Sequence, residues 1–357
     1  MVQAGIAGKA APVSLKDVTK TFAGGVVAVD NVNLDIDTAK LVTLLGPSGC
    51  GKTTTLRLIA GLERPTSGRV LIGDSDVTNL PATDRDVAMV FQSYALFPHM
   101  TVAENVSYGL TFSGYGKSEI RERARAGLDL VGLRGFETRL PSELSGGQQQ
   151  RVAVARALVL EPQVLLFDEP LSNLDAKLRR QVRDDIRAIQ RDLKLTVIYV
   201  THDQEEALAV SDEIVVMRNA AVAQTGTPRE LYDAPVDSFV ADFIGEANLL
   251  PCVIEHVYDG LAAVTVDGYG YDLPARGLSP GSATLAVRPS RIVLDADVGF
   301  EAEVSKATYV GVRMEYTINA SFGAIFAVHD DVQAPLSVGQ RLKVAFASSG
   351  PVLIPKE

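Results

Sequence analysis

Between residues 14 and 244 short, almost uninterrupted apolar runs alternate with longer segments that are apolar on one side only. LVTLL at 41–45, VLLFD at 164–168, TVIYVT at 196–201 and EIVVM at 213–217 have strand length and carry apolar side chains at successive positions. A strand covered on one face alternates polar and apolar residues, so runs of this kind predict strands buried on both faces. The segments between them have the helical period. In AKLRRQVRDDIRAIQRDLK, Leu178, Val182, Ile186, Ile189 and Leu193 recur at steps of three and four, leaving one apolar stripe on a charged helix. SEIRERARAGLDLVGL repeats the pattern through Ile120, Ala124, Leu128 and Val131. Strands alternating with amphipathic helices predict an α/β layer around a mainly parallel sheet, with a helical insertion over about 93–160, where no convincing strand occurs.

The texture changes after Gly245. CVIEHV, LAAVTV, ATLAVRP, RMEYTI, AIFAVH and RLKVAF are short β-rich runs separated by Gly, Pro and Asp. They predict a small all-β module over 245–357, a barrel or sandwich, serving as a stabilising appendage, a regulatory domain or a dimer contact. Residues 1–13 lack periodicity and are expected to be a flexible leader; without an apolar stretch they do not form a signal peptide.

Composition narrows the class. At 357 residues with 46% hydrophobic content, there is material for two packed domains. No apolar run approaches the eighteen or so residues of a membrane-spanning helix. A net charge of −10 without a Lys/Arg cluster disfavours nucleic acid as a partner. Of the two cysteines, Cys50 lies inside a glycine loop where a bridge would obstruct the backbone, which points to reduced thiols and a cytoplasmic setting.

That loop carries the chemistry. Gly46, Pro47, Ser48, Gly49, Cys50, Gly51, Lys52 and Thr53, followed by Thr54, fit GxxxxGK[ST] directly after the LVTLL strand and before a helix. Glycines allow backbone N–H groups to converge on phosphate oxygens, the helix N-terminus adds positive potential, and Lys52 reaches the β- and γ-phosphates. Thr53 is the expected Mg²⁺ ligand, so ATP and Mg²⁺ are the expected cofactors. Asp168 ends an apolar strand, where a carboxylate is costly unless it serves a cation. Glu169, one residue on, is placed to polarise a water for attack on the γ-phosphate; by itself a DE pair at a strand end is also a solvated turn. His202 closes another apolar strand at the same edge.

LSGGQ at 144–148 is a second phosphate-like loop, with neither lysine nor acidic pair of its own. Ser145 and Gly147 are therefore expected to cap a nucleotide held by another copy of the chain, two copies facing head to tail around two ATP molecules. In order, GPSGCGKT, the glutamine of FQSYALFPHMTVAENV, LSGGQ, LLFDEP, SNLD and VTHD resemble the ATPase cassettes of ATP-binding-cassette (ABC) transporters, over nearly all of 14–244. The resemblance implies further roles. Gly146 and Gln148 belong to the nucleotide-capping loop. Gln92 is similar to the glutamine that senses Mg²⁺ and the attacking water and signals to the membrane partner. Ser172, Asn173, Leu174 and Asp175 resemble the loop joining the two sites across the dimer. His202 is similar to the switch histidine on the γ-phosphate. Phe22 matches the adenine-stacking aromatic, although Phe replaces the commoner Tyr or Trp; a core aromatic on an edge strand is the other reading. Tyr94 to Pro98 resemble part of the groove that receives a helix of the transmembrane subunit.

FPHMTVAENV, LSGGQQQR, SNLDAKLR, THDQEEAL and QTGTPRELY are similar to ATPase subunits of bacterial importers served by solute-binding proteins. ATLAVRPSRIVL and VGQRLKVAFASSGPVLI resemble the oligonucleotide-binding-like (TOBE) domain those subunits carry. The partners implied are a second copy, permease subunits and, indirectly, a solute-binding protein, at the cytoplasmic face of the membrane. GEANLLP at the junction is nearest to the polyamine, iron(III) and phosphonate group; a sugar or another anion ranks below. A translation or DNA-repair cassette would bring two cassettes or a long coiled coil, neither of which is present. One departure from the family is NAAVAQTG at 219–226, where a glycine turn is usual; Asn219 can take its left-handed conformation instead. In the tail, Tyr258, Asp267 and Tyr271 are expected at the surface.

Overall fold

The structure, a computed structural model, describes residues 9–348 and 350–356. Contacts divide the chain into two units, Met1–Pro228 and Arg229–Glu357. No helix among the described residues is long and apolar enough to cross a membrane.

The first unit contains two sheets. Strands β1 (Val13–Thr21), β2 (Val27–Ile36), β4 (Ser67–Ile72) and β5 (Ser75–Asp76) form one, in the order β2-β1-β4-β5. The other has six strands in the order β10-β9-β3-β8-β7-β6: β3 (Leu41–Leu45), β6 (Val87–Val90), β7 (Val164–Asp168), β8 (Thr196–Thr201), β9 (Glu213–Arg218) and β10 (Ala221–Gly226). Every pair in it is parallel except β9 with β10. The apolar runs are buried on both faces, as their composition requires. Along β7, Leu165 and Phe167 enter a core shared with the helices, while Val164 and Leu166 enter a second core shared with β1 and β2. Along β8, Val197 and Tyr199 divide from Ile198 and Val200 in the same way.

Between β6 and β7 the chain is helical, with segments Val102–Ser107, Lys117–Leu130 and Gly146–Leu158. The charged helix Ala176–Leu193 lays Val182, Ile186 and Leu193 into the core, with Leu178 and Ile189 at its margin. Asn219 has φ 51° and Ala220 φ 67°, so a two-residue left-handed turn joins β9 to β10 without glycine.

Residues 1–8 of the expected leader lie outside the described residues, but its last residues belong to the fold. Ala11 is buried, its N–H donates to Gln163 O (3.3 Å), and Val13 opens β1 at 0% exposure. Both are apolar, and both fill the core beneath β1.

In the second unit two short helices, Pro228–Asp233 and Ser238–Phe243, precede the strands. The expected boundary at 244 marks where β-structure begins, whereas the contact division falls at 228/229. The reason is Arg288: its buried guanidinium donates to the carbonyls of Tyr232, Ala241 and Glu246 and stacks on the Tyr232 ring at 4.2 Å, tying both helices to the strands. The strands are β11 (Asn248–Tyr258), β12 (Leu261–Val266), β13 (Tyr269–Pro274), β14 (Gly281–Val287), β15 (Ile292–Leu294), β16 (Phe300–Tyr309), β17 (Met314–Ala320), β18 (Gly323–His329), β19 (Arg341–Phe346) and β20 (Pro351–Pro355). They form two five-stranded antiparallel sheets, β13-β12-β11-β14-β20 and β15-β19-β16-β17-β18, around one core. This agrees with the oligonucleotide-binding-like module expected. Asn248 links the sheets, its side-chain amide bonding Val287 O, Phe326 O and Phe326 N. Tyr258 and Asp267 are exposed, and Tyr271 is half-buried, its ring 5.3 Å from that of Phe346 and packed against the core. It sits where a strand's period turns inward, and a phenol ring buries readily.

Candidate nucleotide site

The phosphate loop follows β3 without a spare residue and runs into the helix Lys52–Ala60. Its backbone approaches other strands too closely for side chains. A Cβ on Gly46 would stand 2.3 Å from Met217 O, and one on Gly51 would stand 2.3 Å from Ala28 O. Gly51 also has φ 105°, a region that L-residues rarely adopt. Pro47, Ser48 and Gly49 are exposed, while Cys50 and Lys52 are buried. The Lys52 ammonium curls into the loop and donates to Gly46 O (2.7 Å) and Pro47 O (2.9 Å). Two loop carbonyls thus hold the charge beside the N-terminus of the helix that the loop opens, a setting that suits phosphate oxygens.

Thr53 lies one residue into the helix, and its hydroxyl donates to Asp168 Oδ1 (3.2 Å) at the end of β7. The Asp168 carboxyl is held above the usual carboxylate range, first because burial strips its solvation; the Thr53 bond and Arg57 pull it back, and the charge of Glu169 adds to the rise. A desolvated carboxylate beside a threonine hydroxyl is a donor pair that a hard cation suits. Among the described residues no group of three or more His, Cys, Asp or Glu stands together to hold a metal, so a Mg²⁺ ion here must take its remaining oxygens from the nucleotide and water, as it commonly does.

Glu169 turns the chain out of the sheet with φ 45°, its N–H donating to Val200 O (3.0 Å). Its carboxylate lies 3.1 Å from His202 Nδ1 at the end of β8. Ser172 Oγ donates to Glu169 O (3.0 Å) and accepts from Gln92 Nε2 (3.2 Å), while Asn173 Nδ2 donates to Gln92 O (3.0 Å). Hydrogen bonds thus connect Thr53 to Asp168, and Gln92 through Ser172 to Glu169 and His202. Sequence reasoning passed over Ser172 Oγ as the connector.

It also missed what holds His202. Tyr199 donates to buried Glu206, which accepts again from Thr201 Oγ1 (2.7 Å); Thr201 Oγ1 accepts from Asp203 N (3.0 Å), and Asp203 is paired with Arg179 (3.3 Å). Burial pushes the Glu206 carboxyl up. The signal available in THDQEEAL was an acidic residue on the inner face of a helix that otherwise buries Ala207 and Val210.

Ser145 caps the helix Gly146–Leu158: its Oγ accepts from Gln148 N (3.4 Å), and Gln148 Oε1 accepts from Ser145 N (2.9 Å). None of the hydrogen bonds among the described residues joins Ser145–Gln148 to the loop 46–54. Gly147 has a packing reason as well, since a Cβ there would meet Leu178 at 2.8 Å. From the far end of this helix Arg156 donates to the carbonyls of Tyr94 (2.8 Å) and Ala95 (2.7 Å), both left-handed at φ 61° and 47°. Asp175 is used locally as the N-cap of Ala176–Leu193, accepting from Leu178 N (3.0 Å). Phe22 is 39% exposed at the tip of the β1–β2 hairpin, with Lys20 Nζ 4.8 Å from its ring centre, so it is not a core aromatic.

The Asp168 pair yields a prediction with two signs. A raised carboxyl pKa means the folded chain holds the proton more tightly than the unfolded chain. Its ionisation therefore costs stability as pH rises from the unfolded value near 3.8 through the folded one. Asp168→Asn removes that cost at neutral pH and keeps an acceptor for Thr53. The variant should melt higher than wild type without nucleotide while hydrolysing ATP about 10²-fold more slowly. Equal or lower melting, measured by calorimetry at pH 7.5, would contradict the desolvation account.

The ABC transporter family model matches residues 29–172, and the TOBE domain model matches 285–354. An Fe(3+) ions import ATP-binding protein FbpC of Brucella abortus is 57% identical over 344 residues, 96% of this chain and 97% of that protein. One of Escherichia coli O157:H7 is 50% identical over 311 residues, 86% of this chain and 87% of that protein. Among solved structures, the cassette MJ0796 in a dimeric post-hydrolysis state with ADP and Pi superimposes with a TM-score of 0.55 at 35% identity, covering 61% of this chain and 99% of its own. The glycine loop on its strand, the acidic pair across the sheet and the relatives that match from end to end agree: the chain belongs to the ABC transporter family, as an ATP-hydrolysing cassette subunit with a C-terminal TOBE domain.

Proposed function

We propose that this chain powers iron(III) import, as a head-to-tail homodimer docked on permease subunits at the cytoplasmic face of the membrane and served by a solute-binding protein. What carries the choice of iron over polyamine or phosphonate is the identity of 57% to an Fe(3+) import ATPase across 96% of the chain. Dimerisation is supported by the dimeric state of the MJ0796 cassette and by a capped helix at Ser145 that, among the described residues, has no hydrogen bond to this chain's own phosphate loop.

In this reading the loop from Gly46 to Thr54 grips the ATP phosphates, Lys52 leaving its carbonyls for the β- and γ-phosphates. Phe22 stacks on adenine. Thr53 and Asp168 would hold Mg²⁺, with Gln92 completing its surroundings; the ion supplies charge neutralisation at the transferring phosphoryl group. Glu169 takes the role of orienting water, and His202, 3.1 Å away, steadies the γ-phosphate and the carboxylate together. Across the interface Ser145, Gly146, Gly147 and Gln148 cap the partner's nucleotide, and Asp175 belongs to the loop reporting one site to the other. Closure around ATP would move the Gln92–Pro98 segment, which Arg156 clamps to the capping helix, so that nucleotide state reaches the permease as motion.

The test is reconstitution with the copurifying permease in vesicles. Iron(III)-loaded binding protein should stimulate ATP hydrolysis several-fold, and putrescine or a phosphonate with its own binding protein should not. Stimulation by either of those in place of iron would overturn the assignment of cargo.

A further inference from the structure

The C-terminal unit contains a cavity of about 630 Å³ whose wall carries Arg229, Arg276, Arg288 and Arg291 against only two carboxylates, Asp233 and Asp272. This is a concentration of positive charge in a chain of net charge −10. The carboxylates balance it only in part. Asp233 is paired with Arg229 (3.2 Å), and Asp272 bonds the Tyr258 hydroxyl. Among the described residues Arg276 donates only to backbone carbonyls, Leu353 O (3.2 Å) and Ala234 O (2.9 Å), and Arg288 donates only to carbonyls and stacks on a ring, with Asp233 and Asp242 close enough to act on its charge. Arg291 is exposed and has no side-chain hydrogen bond or ion pair among the described residues.

Arg276 and Arg291 therefore reach one cavity without a carboxylate partner among the described residues, beside Arg288, whose charge Asp233 and Asp242 meet only in part. Burial already weighs against the charges of Arg276 and Arg288. Unlike lysine, arginine does not escape such a cost by losing its proton at neutral pH, so an anion entering the cavity would meet charges that carbonyls and nearby aspartates compensate only in part. The planar fork of arginine matches carboxylate and phosphate oxygens, and the volume lies within the range of small-molecule pockets.

We propose that this cavity binds a small multivalent oxyanion, phosphate- or polycarboxylate-bearing, with Arg276 and Arg291 in direct contact and Arg288 as the fixed charge behind them. The site is separate from the nucleotide site and does not depend on the identity of the transported solute.

The experiment is titration calorimetry of the full chain at low ionic strength with inorganic phosphate and, separately, with citrate. Because the loop at 46–54 also takes phosphate, Lys52→Ala is run in parallel. Saturable binding is expected in wild type and in Lys52→Ala, weakened at least about tenfold in Arg276→Gln and in Arg291→Gln. Arg291→Gln has no side-chain bond to lose, so its result stands even if Arg276→Gln folds poorly. Tighter citrate binding identifies a polycarboxylate ligand, and tighter phosphate binding a phosphorylated one. Absence of saturable heat with both anions overturns the site. So does binding that vanishes in Lys52→Ala or persists unchanged in Arg291→Gln.

Discussion

Glu169→Gln is expected to bind ATP as wild type does, hydrolyse it about 10²–10⁴-fold more slowly, and accumulate as an ATP-bound dimer. The substitution is nearly isosteric. It keeps an acceptor for His202, whose Nδ1 stands 3.1 Å from the carboxylate, and it leaves the backbone bond from residue 169 N–H to Val200 O untouched. The left-handed φ of 45° is tolerated similarly by Glu and Gln, so folding should be unaffected. What changes is charge and basicity at the one carboxylate that leaves the sheet beside the phosphate loop. Asp168, its neighbour, is engaged with Thr53 and cannot substitute for it. On the proposed mechanism hydrolysis is the step that reopens the dimer, so blocking it while sparing binding would trap the closed state. Light scattering with ATP and steady-state phosphate release are the measurements. Normal turnover by the variant would remove Glu169 from the role and leave the water to another group.

How far these residues could be seen in the sequence depends on how local their causes are. The buried strands β3, β7, β8 and β9 were legible because two covered faces demand unbroken apolar runs, and the phosphate loop because its glycines answer a local backbone requirement. The left-handed pair Tyr94–Ala95 was not legible, since neither residue is glycine and the conformation is held by Arg156 from a helix some sixty residues later. The Tyr199–Glu206–Thr201 network was missed for a related reason: a glutamate in a helix reads as solvated until the fold closes over it. Gly147 was assigned to phosphate alone, and its contact with Leu178 appears only when two helices pack. The helices at 228–243 escaped notice because each is a single short segment tied down by Arg288, which follows a strand far along the chain.

The second large effect concerns which chain completes which site. Lys52→Ala and Ser145→Arg should each abolish turnover in a homodimer, since every composite site then lacks either its lysine or its cap. Mixed, they should recover activity. In a head-to-tail heterodimer one site receives both defects and the other receives neither, because its Lys52 comes from the Ser145→Arg chain and its Ser145 from the Lys52→Ala chain. Random assortment makes half the dimers mixed with one sound site each, which predicts roughly a quarter of the wild-type rate. The geometry motivates the experiment directly: Ser145 Oγ is turned to its own helix N-terminus with Gln148, and among the described residues no hydrogen bond carries it to the loop of the same chain. Strict firing of both sites together is separated by a second readout, one tightly held ATP per mixed dimer in a filter-binding assay. Should mixed dimers form, by crosslinking, and neither cleave nor retain nucleotide, the cap and the lysine act within one chain.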